Sequence, residues 1–465
     1  MKYILNPNIA LRSWWRVPYA FYIKGRRDAQ GLKKEQFDLL RLCDGEHEFT
    51  THELMDIKPL VISGLAMPAE HGERLTEWQR HRDCDNRYFL SLSWMITGRC
   101  NFNCLHCFNA ADNSPLMSEF SWDEARKLIE EAEGCGINAF TITGGEPMLH
   151  RHFLDIIQAI YDHGMYVCEL NTNGHFITVD LLQKLKAIDG NIRIKISFDG
   201  IGHHDWLRNR AGAEQEALAA IRACIEAGFF VQAQTNVHRG NLDTLLQTAE
   251  MLDGMGVEHM RIIRTTEAPR WVQNAGDATL GIGEYYDSMI DFMQAYTAKE
   301  HAMSIDIWQV AQLYPKSHSF RARPVECAEG EYRDTFPVCR GNRGMVSVDA
   351  DGNVVPCHQM SGYYAAHGWK LGNVKEQGLQ PLLQQGKYID EVCTTLADLK
   401  EHNSDCANCQ YFKYCAGGCR AIALAFTGDK LGTDSAKCKF FKQGYYDKLV
   451  QALSGWRNAA PVFGR

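Results

Sequence analysis

The chain has 465 residues, of which 45% are hydrophobic and 23% are charged, as in an ordinary globular protein with a large core. It carries 49 Lys and Arg residues against 57 Asp and Glu residues, so the net charge is −8. This charge excludes a general attraction to nucleic acid or to an anionic membrane. The length predicts about three domains.

The first residues, MKYILNPNIALRSWWRV, contain no unbroken apolar stretch of the kind that a signal peptide needs. No later segment offers about eighteen consecutive apolar residues, the length of a membrane span. We therefore expect a cytoplasmic protein that does not contact a membrane. In that reducing compartment, its 17 cysteines favour metal sites over disulfides.

Residues 1–87 predict a small separate module. Strand-like residues 19–23 precede a helical pattern at 34–43 and a second helix that begins at Thr51, which suggests a winged helix-turn-helix. The numbers of acidic and basic residues in this stretch are nearly equal, whereas a DNA reader usually has a basic face. We favour peptide binding, with an extended ligand added to a strand edge, over a packing appendage.

From residue 88 the pattern changes to repeated strand-helix units. The predicted strands are 88–96, 139–143, 166–171, 193–198, 229–237 and 259–265, and helices are predicted at 121–134, 152–163, 179–188, 214–227 and 242–255. Such units predict an α/β fold, with a parallel sheet curled into a partial (β/α)6 TIM-like barrel over residues 88–300. Residues 301–338 are predicted to be a bridging segment, and residues 339–455 a Cys-rich domain.

Three cysteines follow the first predicted strand in the sequence TGRCNFNCLHCF: Cys100, Cys104 and Cys107. Closed zinc and iron-sulfur sites normally take four protein ligands, so three cysteines leave one metal position open. Active sites of βα arrays lie at the C-terminal ends of the strands, where this loop falls. The spacing therefore favours an open metal site over buried or disulfide-bonded cysteines.

Polar motifs end the next three predicted strands. Residues 143–147 read TGGEP, in which the glycines allow close approach of the backbone to a ligand and Glu146 can accept a hydrogen bond from an ammonium group. Residues 171–174 read NTNG and residues 197–200 read SFDG. Their short polar side chains suit hydrogen bonds to ribose hydroxyls and to a carboxylate. Each motif alone is also compatible with a simple turn or strand cap.

Seven further cysteines lie in the C-terminal region with the spacing Cx12Gx4C, then Cx2Cx5Cx3C, then C. Seven thiolates are too many for one four-coordinate site and one too few for two, and one or two zinc-ribbon sites are the alternative. The seven are Cys339, Cys357, Cys406, Cys409, Cys415, Cys419 and Cys438.

The order CxxxCxxC, GGEP, NTNG and SFDG on six βα units resembles the radical S-adenosylmethionine (SAM) superfamily. The resemblance implies that the three loop cysteines bind a 4Fe-4S cluster whose open iron is chelated by SAM, which is cleaved to a 5′-deoxyadenosyl radical. It further implies that Gly144, Gly145 and Glu146 meet the amino group of SAM and that His106 meets its adenine. Polar strand-end residues and one arginine would meet its ribose or carboxylate: Asn171, Asn173, Ser197, Asp199 and Arg210.

The C-terminal spacing resembles the SPASM domain of radical enzymes, which implies two auxiliary 4Fe-4S clusters. Cys339, Cys357 and Cys419 would hold one, and the other four cysteines of the pattern would hold the second. The missing eighth ligand is either Cys327 or a substrate thiolate on an open iron. His358 is a candidate base, although a supporting hydrogen bond is the preferred role for it. Cys393 and Cys327 are candidate hydrogen-atom donors.

This domain combination is similar to maturases of ribosomally made peptides. We therefore predict that residues 1–87 hold the leader of a precursor peptide and that the barrel installs a thioether or carbon-carbon crosslink. The electron donor would be a flavodoxin or a ferredoxin. Formylglycine formation on a sulfatase and peptide epimerisation are the enzymatic alternatives, and a zinc-binding winged-helix regulator is the alternative from another class of protein.

Overall fold

The structure, a computed structural model, describes residues 1–15, 17–24, 29–84, 86–87, 89–110, 113, 116–322, 334–339 and 344–459. Cys327 lies outside these residues. The N-terminal unit contains six short strands and two helices: β1 (Tyr3–Leu5), β2 (Ile9–Trp14), β3 (Val17–Ile23), β4 (Ala29–Gly31), α1 (Lys34–Arg41), α2 (Thr51–Ile62), β5 (Ala66–Pro68) and β6 (Arg82–Cys84).

The strands of the N-terminal unit form two small sheets. One has the order β4-β3-β2-β6, and the other pairs β1 with β5. Both helices pack with apolar residues of these strands, and α2 begins at a capping box in which Thr50 accepts the N–H of Glu53. The predicted strand and both predicted helices are therefore confirmed, whereas the winged-helix assignment remains a prediction.

The middle of the chain alternates strands and helices: β7 (Ser91–Met95), α3 (Trp122–Gly134), β8 (Ala139–Thr143), α4 (Phe153–Asp162), β9 (Tyr166–Thr172), α5 (Val179–Ile188), β10 (Arg193–Ser197), α6 (His204–Arg208), α7 (Ala213–Glu226), β11 (Val231–Val237), α8 (Leu245–Gly254), β12 (His259–Arg264), α9 (Pro269–Asn274), α10 (Ile282–Thr297), β13 (Ser304–Ile307), β14 (Ala311–Tyr314) and β15 (Ser319–Ala322).

The C-terminal region begins with a short hairpin and continues with small helices: β16 (Met345–Val348), β17 (Val354–Val355), α11 (Ser361–Ala366), α12 (Val374–Gln377), α13 (Leu379–Gln384), α14 (Lys387–Val392), α15 (Leu396–His402), α16 (Ser404–Ala407), α17 (Phe412–Cys415), α18 (Arg420–Thr427), α19 (Ser435–Lys442), α20 (Tyr445–Ala452) and β18 (Arg457–Asn458).

One large sheet organises the chain, with the order β17-β16-β7-β8-β9-β10-β11-β12-β13-β14-β15-β18. The six predicted βα strands, β7 to β12, are consecutive and parallel, so the predicted α/β sheet is confirmed. Two further strands extend the parallel part: β13 beside β12, and β16 beside β7. Residues 304–322 of the predicted bridging segment therefore belong to the main sheet.

The two faces of the parallel strands differ in chemistry. Apolar side chains such as Trp94 and Ile142 join the helices in the main core. The opposite face carries polar side chains that are nevertheless buried, including Ser93, Thr141 and a 2.6 Å ion pair between Lys195 and Glu169. A buried polar face without covering helices is the pattern of a sheet curled around its own interior.

The N-terminal unit packs against the N-terminal ends of the barrel strands. Trp14 and Tyr22 share an apolar cluster with Ala139 and Tyr166, the first residues of β8 and β9. The fully buried Arg12 donates to the side-chain oxygen of Asn138 at 3.0 Å, just before β8. The N-terminal unit and the loop of Cys100, Cys104 and Cys107 therefore lie at opposite ends of the strands.

No helix in the described parts of the chain is long and apolar enough to cross a membrane.

Candidate active site

The three loop cysteines follow β7 and are surrounded by N–H groups. The Cys100 sulfur accepts the backbone N–H of Phe102 at 3.4 Å and lies 4.0 Å from the side-chain nitrogen of Asn173. A guanidinium nitrogen of Arg208 lies 3.8 Å from the Cys104 sulfur. Such contacts stabilise thiolates, the form in which cysteine binds a metal.

The loop thiols repel one another when they ionise. Burial raises the pKa of Cys100 to about 12, and the neighbouring thiols Cys104 and Cys107 act in the same direction. Burial also raises the pKa of Cys104, while Arg208 opposes that rise. A bound cationic cluster would remove this repulsion, so the thiols suit metal binding.

Two glycines let the end of β8 approach the cysteine loop. A Cβ atom on Gly144 would overlap the carbonyl oxygen of Thr97, and a Cβ atom on Gly145 would overlap those of Gly98 and Arg99. The Gly145 N–H donates to the carbonyl oxygen of Thr97 at 2.8 Å. Gly144 and Gly145 therefore allow β8 to pack directly against the cysteine loop. The sequence predicted only a contact of these glycines with SAM.

Glu146 is fully buried and joins the ends of β8 and β9. Its carboxylate accepts the hydroxyl of Thr172 at 3.0 Å, the backbone N–H of Asn173 at 2.8 Å and that of Met148 at 3.4 Å. Burial raises the pKa of Glu146 to about 7, although these hydrogen bonds oppose the rise. A cationic amino group placed beside it would favour the ionised carboxylate.

Asp199 and Arg208 form a buried ion pair at the end of β10. The guanidinium donates to both carboxylate oxygens, at 2.6 and 3.1 Å, and the backbone N–H of Asn236 donates to one of them at 2.9 Å. Arg208 holds the pKa of Asp199 well below its usual range, against the effect of burial. If Asp199 contacts SAM as predicted, it would do so while paired with Arg208, or it would hold Arg208 in place for that contact.

Sequence reasoning missed Arg208 and named Arg210 instead. Arg210 bonds Glu216 at 2.9 Å and covers the ring of Phe102 at 5.0 Å, so it supports the loop from outside. Arg208 lies on α6, nine residues after Asp199. The signal that was available is the SFDG aspartate itself, because a carboxylate at a buried strand end needs a nearby cation.

Several buried polar atoms around the loop have no hydrogen-bond partner among the described protein atoms. They include Nδ1 of His106 and Oδ1 of Asn171, and burial lowers the pKa of His106 to about 3, so its ring is neutral. Ser197, at the end of β10, is half-buried beside them. A polar ligand over the strand ends would satisfy such groups, so the residues fit a 4Fe-4S cluster with SAM.

The C-terminal thiols fall into two groups, here called electrostatic groups, whose members raise one another's pKa values. Ionised Cys357 and Cys339 both raise the pKa of Cys419, after the larger effects of burial and Asp434. Burial raises the pKa of Cys415 to about 12, with contributions from three other thiols: Cys406, Cys438 and Cys409. These two sets contain the same cysteines as the two predicted ligand sets, and their role as cluster ligands stays a prediction. Among the described residues, no group of three His, Cys, Asp or Glu side chains is arranged to hold a single metal ion.

Asp434 links the two groups of thiols. Its carboxylate accepts the backbone N–H of Cys419 at 2.7 Å and that of Lys437 at 2.9 Å, where it caps the helix α19 that carries Cys438. No motif in the sequence predicted a role for Asp434.

A narrow crevice, with a volume of about 20 Å³, lies between the barrel and the C-terminal region. Residues of the β12–α9 loop form one wall, and residues that follow Cys357 and Cys419 form the other. The Gly362 N–H donates to the carbonyl oxygen of Phe108, one residue after Cys107, at 3.0 Å. The crevice therefore lies between the cysteine loop and one auxiliary group, and its lining includes Ala268, Pro269, Met360, Tyr363, Ile422 and Leu424.

The two predicted catalytic side chains occupy different places. His358 bonds the backbone oxygen and hydroxyl of Ser93 in β7 through Nε2, both at 3.1 Å, and burial lowers its pKa to about 4. Cys393 follows α14, whose Tyr388 packs on Phe89 ahead of β7. This places Cys393 near the N-terminal strand ends, away from the cysteine loop.

Two family models match the chain. The model of the radical SAM superfamily matches residues 94–252, and that of the SPASM iron-sulfur cluster-binding domain matches residues 339–410. The chain therefore contains a radical SAM domain and a SPASM domain. The radical SAM domain contains the end of β7 and the cysteine loop, so the chain is an enzyme that uses a 4Fe-4S cluster and SAM.

Curated relatives of the chain carry different substrate names. An AdoMet-dependent heme synthase of Methanosarcina barkeri is 29% identical over 352 residues, which are 73% of this chain and 93% of the relative. The mycofactocin maturase MftC of Mycolicibacterium smegmatis is 27% identical over 358 residues, which are 75% of this chain and 82% of the relative. The sequence comparison therefore does not identify the substrate.

Streptococcus suis SuiB bound to its precursor peptide SuiA has a similar fold. The match has a TM-score of 0.68 at 13% identity and covers 93% of this chain and 99% of SuiB. The unmatched 7% of 465 residues is about 33 residues, which is less than the N-terminal unit, residues 1–84. The fold likeness therefore extends into the N-terminal unit.

Proposed function

We propose that this radical SAM enzyme is a maturase that crosslinks a ribosomally made precursor peptide. The observation that carries the proposal is the fold likeness to SuiB, which was solved with a precursor peptide and which this chain matches into the N-terminal unit. The heme synthase match leaves about a quarter of the chain uncovered, enough to omit that unit.

The proposed leader site is the outer edge of β4. This strand pairs only with β3 among the described residues, and Gln30 and Gly31 are exposed. Leu32 donates its N–H to the carbonyl oxygen of Tyr19, so the alternate residue Gly31 points its N–H towards the open side. An extended leader would accept that N–H as an added strand.

We propose three 4Fe-4S clusters for the holoenzyme. The loop cysteines would hold the SAM-binding cluster, and the two electrostatic groups of C-terminal thiols would hold the auxiliary clusters. The group of Cys339, Cys357 and Cys419 has three thiols, so its fourth ligand is Cys327 or a substrate thiolate. SAM would be held by Gly144, Gly145, Glu146, Asn171, Asn173, Ser197 and His106, with Arg208 beside Asp199 for its carboxylate.

The crevice between barrel and SPASM domain is the proposed entrance for the residue to be modified. When bound, the cluster and SAM supply a 5′-deoxyadenosyl radical that takes one hydrogen atom from the substrate. Closing a thioether or carbon-carbon bond removes a second hydrogen as a proton and an electron, and Cys339, Cys357 and Cys419 would hold an auxiliary cluster that could accept that electron. The crevice is lined by apolar side chains such as Met360, Ile422 and Leu424 and by the polar Thr266, Glu267 and Gln359.

We also propose a cytoplasmic location and a flavodoxin or ferredoxin as electron donor. The chain has 17 cysteines, and a reducing compartment keeps thiolates available for cluster assembly.

The decisive experiment supplies both substrate classes to the anaerobically reconstituted enzyme with SAM and a reductant. The first substrate is a precursor peptide encoded beside the gene, and mass spectrometry should show the loss of two hydrogens. Uptake of deuterium from solvent with no other mass change would instead indicate epimerisation and refute the crosslink. The variant Cys100→Ala, which removes one cluster ligand, is the control without radical chemistry.

A porphyrin is the second candidate substrate, because several relatives are named as heme synthases or as Fe-coproporphyrin III synthase. In the same experiment, Fe-coproporphyrin III replaces the peptide, and its absorption spectrum reports any side-chain reaction. SAM-dependent conversion of the porphyrin, with no change in the peptide, would overturn the maturase proposal.

The leader site has its own matched test. The variant Gly31→Pro removes the outward N–H of β4, and we expect about a 2- to 10-fold loss of leader affinity by fluorescence polarisation, the effect of one hydrogen bond. Gly31→Ala is the control, since a Cβ atom there meets no neighbour within 4 Å. Equal affinity of both variants would exclude the β4 edge as the leader site.

A further inference from the structure

His238 directly follows β11 and has one unsatisfied ring nitrogen. Its side chain is 1% exposed, and its Nδ1 accepts the backbone N–H of Gly240 at 3.1 Å. The ring proton of the neutral imidazole therefore lies on Nε2, which is buried and has no hydrogen-bond partner among the described protein atoms. Burial lowers the pKa of His238 to about 4, so the ring stays neutral near pH 7.

The position of His238 is fixed from several sides. Its backbone N–H donates to the side-chain oxygen of Asn241 at 2.9 Å, and the amide of Asn241 donates to the carbonyl oxygen of Asp199 at 2.7 Å. The ring centres of Trp206 and Trp271 lie 4.9 and 6.2 Å from that of the histidine. An imidazole held in this way cannot turn to find another partner without breaking these contacts.

His238 lies on the same side of the strand ends as the SAM residues. Asn236, two residues before His238, donates its backbone N–H to the carboxylate of Asp199 at 2.9 Å, and Asp199 is paired with Arg208. His238 therefore lies next to this ion pair, and both His238 and His106 have a buried ring nitrogen without a hydrogen-bond partner among the described protein atoms.

We propose that His238 reads the adenine base of SAM by donating its Nε2–H to a ring nitrogen of the base. A buried neutral N–H donor needs an acceptor on the ligand, and the adenine of SAM offers acceptors at N1, N3 and N7. A buried N–H without an acceptor is unfavourable, so a hydrogen bond to adenine would increase the affinity for SAM. It would also favour adenine over bases that lack the acceptor nitrogen. The assignment uses only the SAM-binding function of the chain and holds for a peptide or a porphyrin substrate.

The test is a binding cycle with unreactive analogues on the reconstituted holoenzyme. The ligands are S-adenosylhomocysteine and its 1-deaza, 3-deaza and 7-deaza forms, each of which lacks one acceptor nitrogen. By isothermal titration calorimetry, we expect one deaza ligand to bind wild-type enzyme about 10-fold more weakly than the parent. We expect the variant His238→Phe to bind the parent about 10-fold more weakly and to show no penalty for that deaza ligand.

Two further variants separate the hydrogen bond from structural effects. His238→Gln, which keeps an N–H donor, should recover part of the affinity. His203→Phe, which changes a ring 6.2 Å from His238, should bind all ligands as wild type does. Equal binding of all three deaza ligands to wild-type enzyme would overturn the proposal without use of any variant. A deaza penalty of full size in His238→Phe would overturn it as well.

Discussion

The buried pair of Asp199 and Arg208 permits a quantitative prediction. Both side chains lie at the end of β10, the aspartate fully buried and the arginine nearly so, and two hydrogen bonds join them. Arg208→Gln would leave a buried carboxylate without its cation, and Asp199→Asn would leave a buried guanidinium without its anion. Either change should cost about 3 to 5 kcal/mol of unfolding free energy, as for other broken buried pairs.

The double variant Asp199→Asn with Arg208→Gln should be less damaging than the sum of the two single changes. It removes both charges and keeps two side chains of similar size that can hydrogen bond. We expect it to cost about 1 to 3 kcal/mol, so the coupling energy should be about 3 kcal/mol or more.

Differential scanning calorimetry of the anaerobic holoenzyme provides the measurement. At about 2 to 4 °C per kcal/mol for a domain of this size, each single variant should lower the barrel transition by about 6 to 20 °C. Lys184→Gln is the control, because Lys184 and Asp180 form an exposed ion pair at 2.7 Å on α5 and should contribute less than about 1 kcal/mol. Additive effects of the two single variants would refute the reasoning.

Three other variants test the site. Gly145→Ala should lower iron content and destabilise the fold, because its Cβ would overlap backbone oxygens of the cysteine loop, whereas Gly134→Ala in α3 meets nothing within 4 Å and should leave iron content unchanged. Burial raises the pKa of Glu146 to about 7 in the folded protein, so the folded state favours the protonated carboxyl. This contribution to folding stability is fully present below about pH 4.5 and is lost as the pH rises through 7. Glu146→Gln should therefore abolish up to about 3 kcal/mol of pH dependence in urea unfolding between pH 5 and 8, and an unchanged slope would contradict this. Cys393→Ser should retain SAM cleavage and product formation; loss of product with cleavage intact would restore Cys393 as a hydrogen-atom donor.

The sequence predicted those parts of the fold that depend on local patterns. The bounds of β8 and α5 agree with the predicted ones, because alternation, helical spacing and caps are properties of neighbouring residues. The strands β13 and β16 were not predicted. Each has four residues and is a strand because it pairs with β12 or β7. A short apolar run does not show in the sequence which distant strand it will pair with.

The site shows the same division. Cysteine spacing and strand-end motifs located the loop, because those motifs lie within single segments. Arg208, Asn241 and Asp434 were missed, because each acts through a partner from another element: Asp199 for the first two and Cys419 for the third. Asp199 was predicted to contact the ribose or carboxylate of SAM, and its charge is balanced by Arg208 in the structure. Polar residues at strand ends identify an active site, whereas the contacts between them decide which side chains remain available to a ligand.

The position of the N-terminal unit constrains how a peptide would be processed. Trp14 and Tyr22 pack at the first residues of β8 and β9, whereas the cluster cysteines lie beyond the last residues of β7. A peptide held at β4 must therefore pass along the full height of the barrel to reach the radical. The seven residues of β9 span about 23 Å at 3.3 Å per residue, so an extended peptide needs at least about seven residues for this distance alone. Because Arg12 and Tyr22 fix the unit to the barrel, a hinge motion cannot shorten that path without breaking buried hydrogen bonds. The number of peptide residues between the leader and the modified residue would then be set by the height of the barrel. The modified residue would be selected by its distance from the leader as well as by its chemistry.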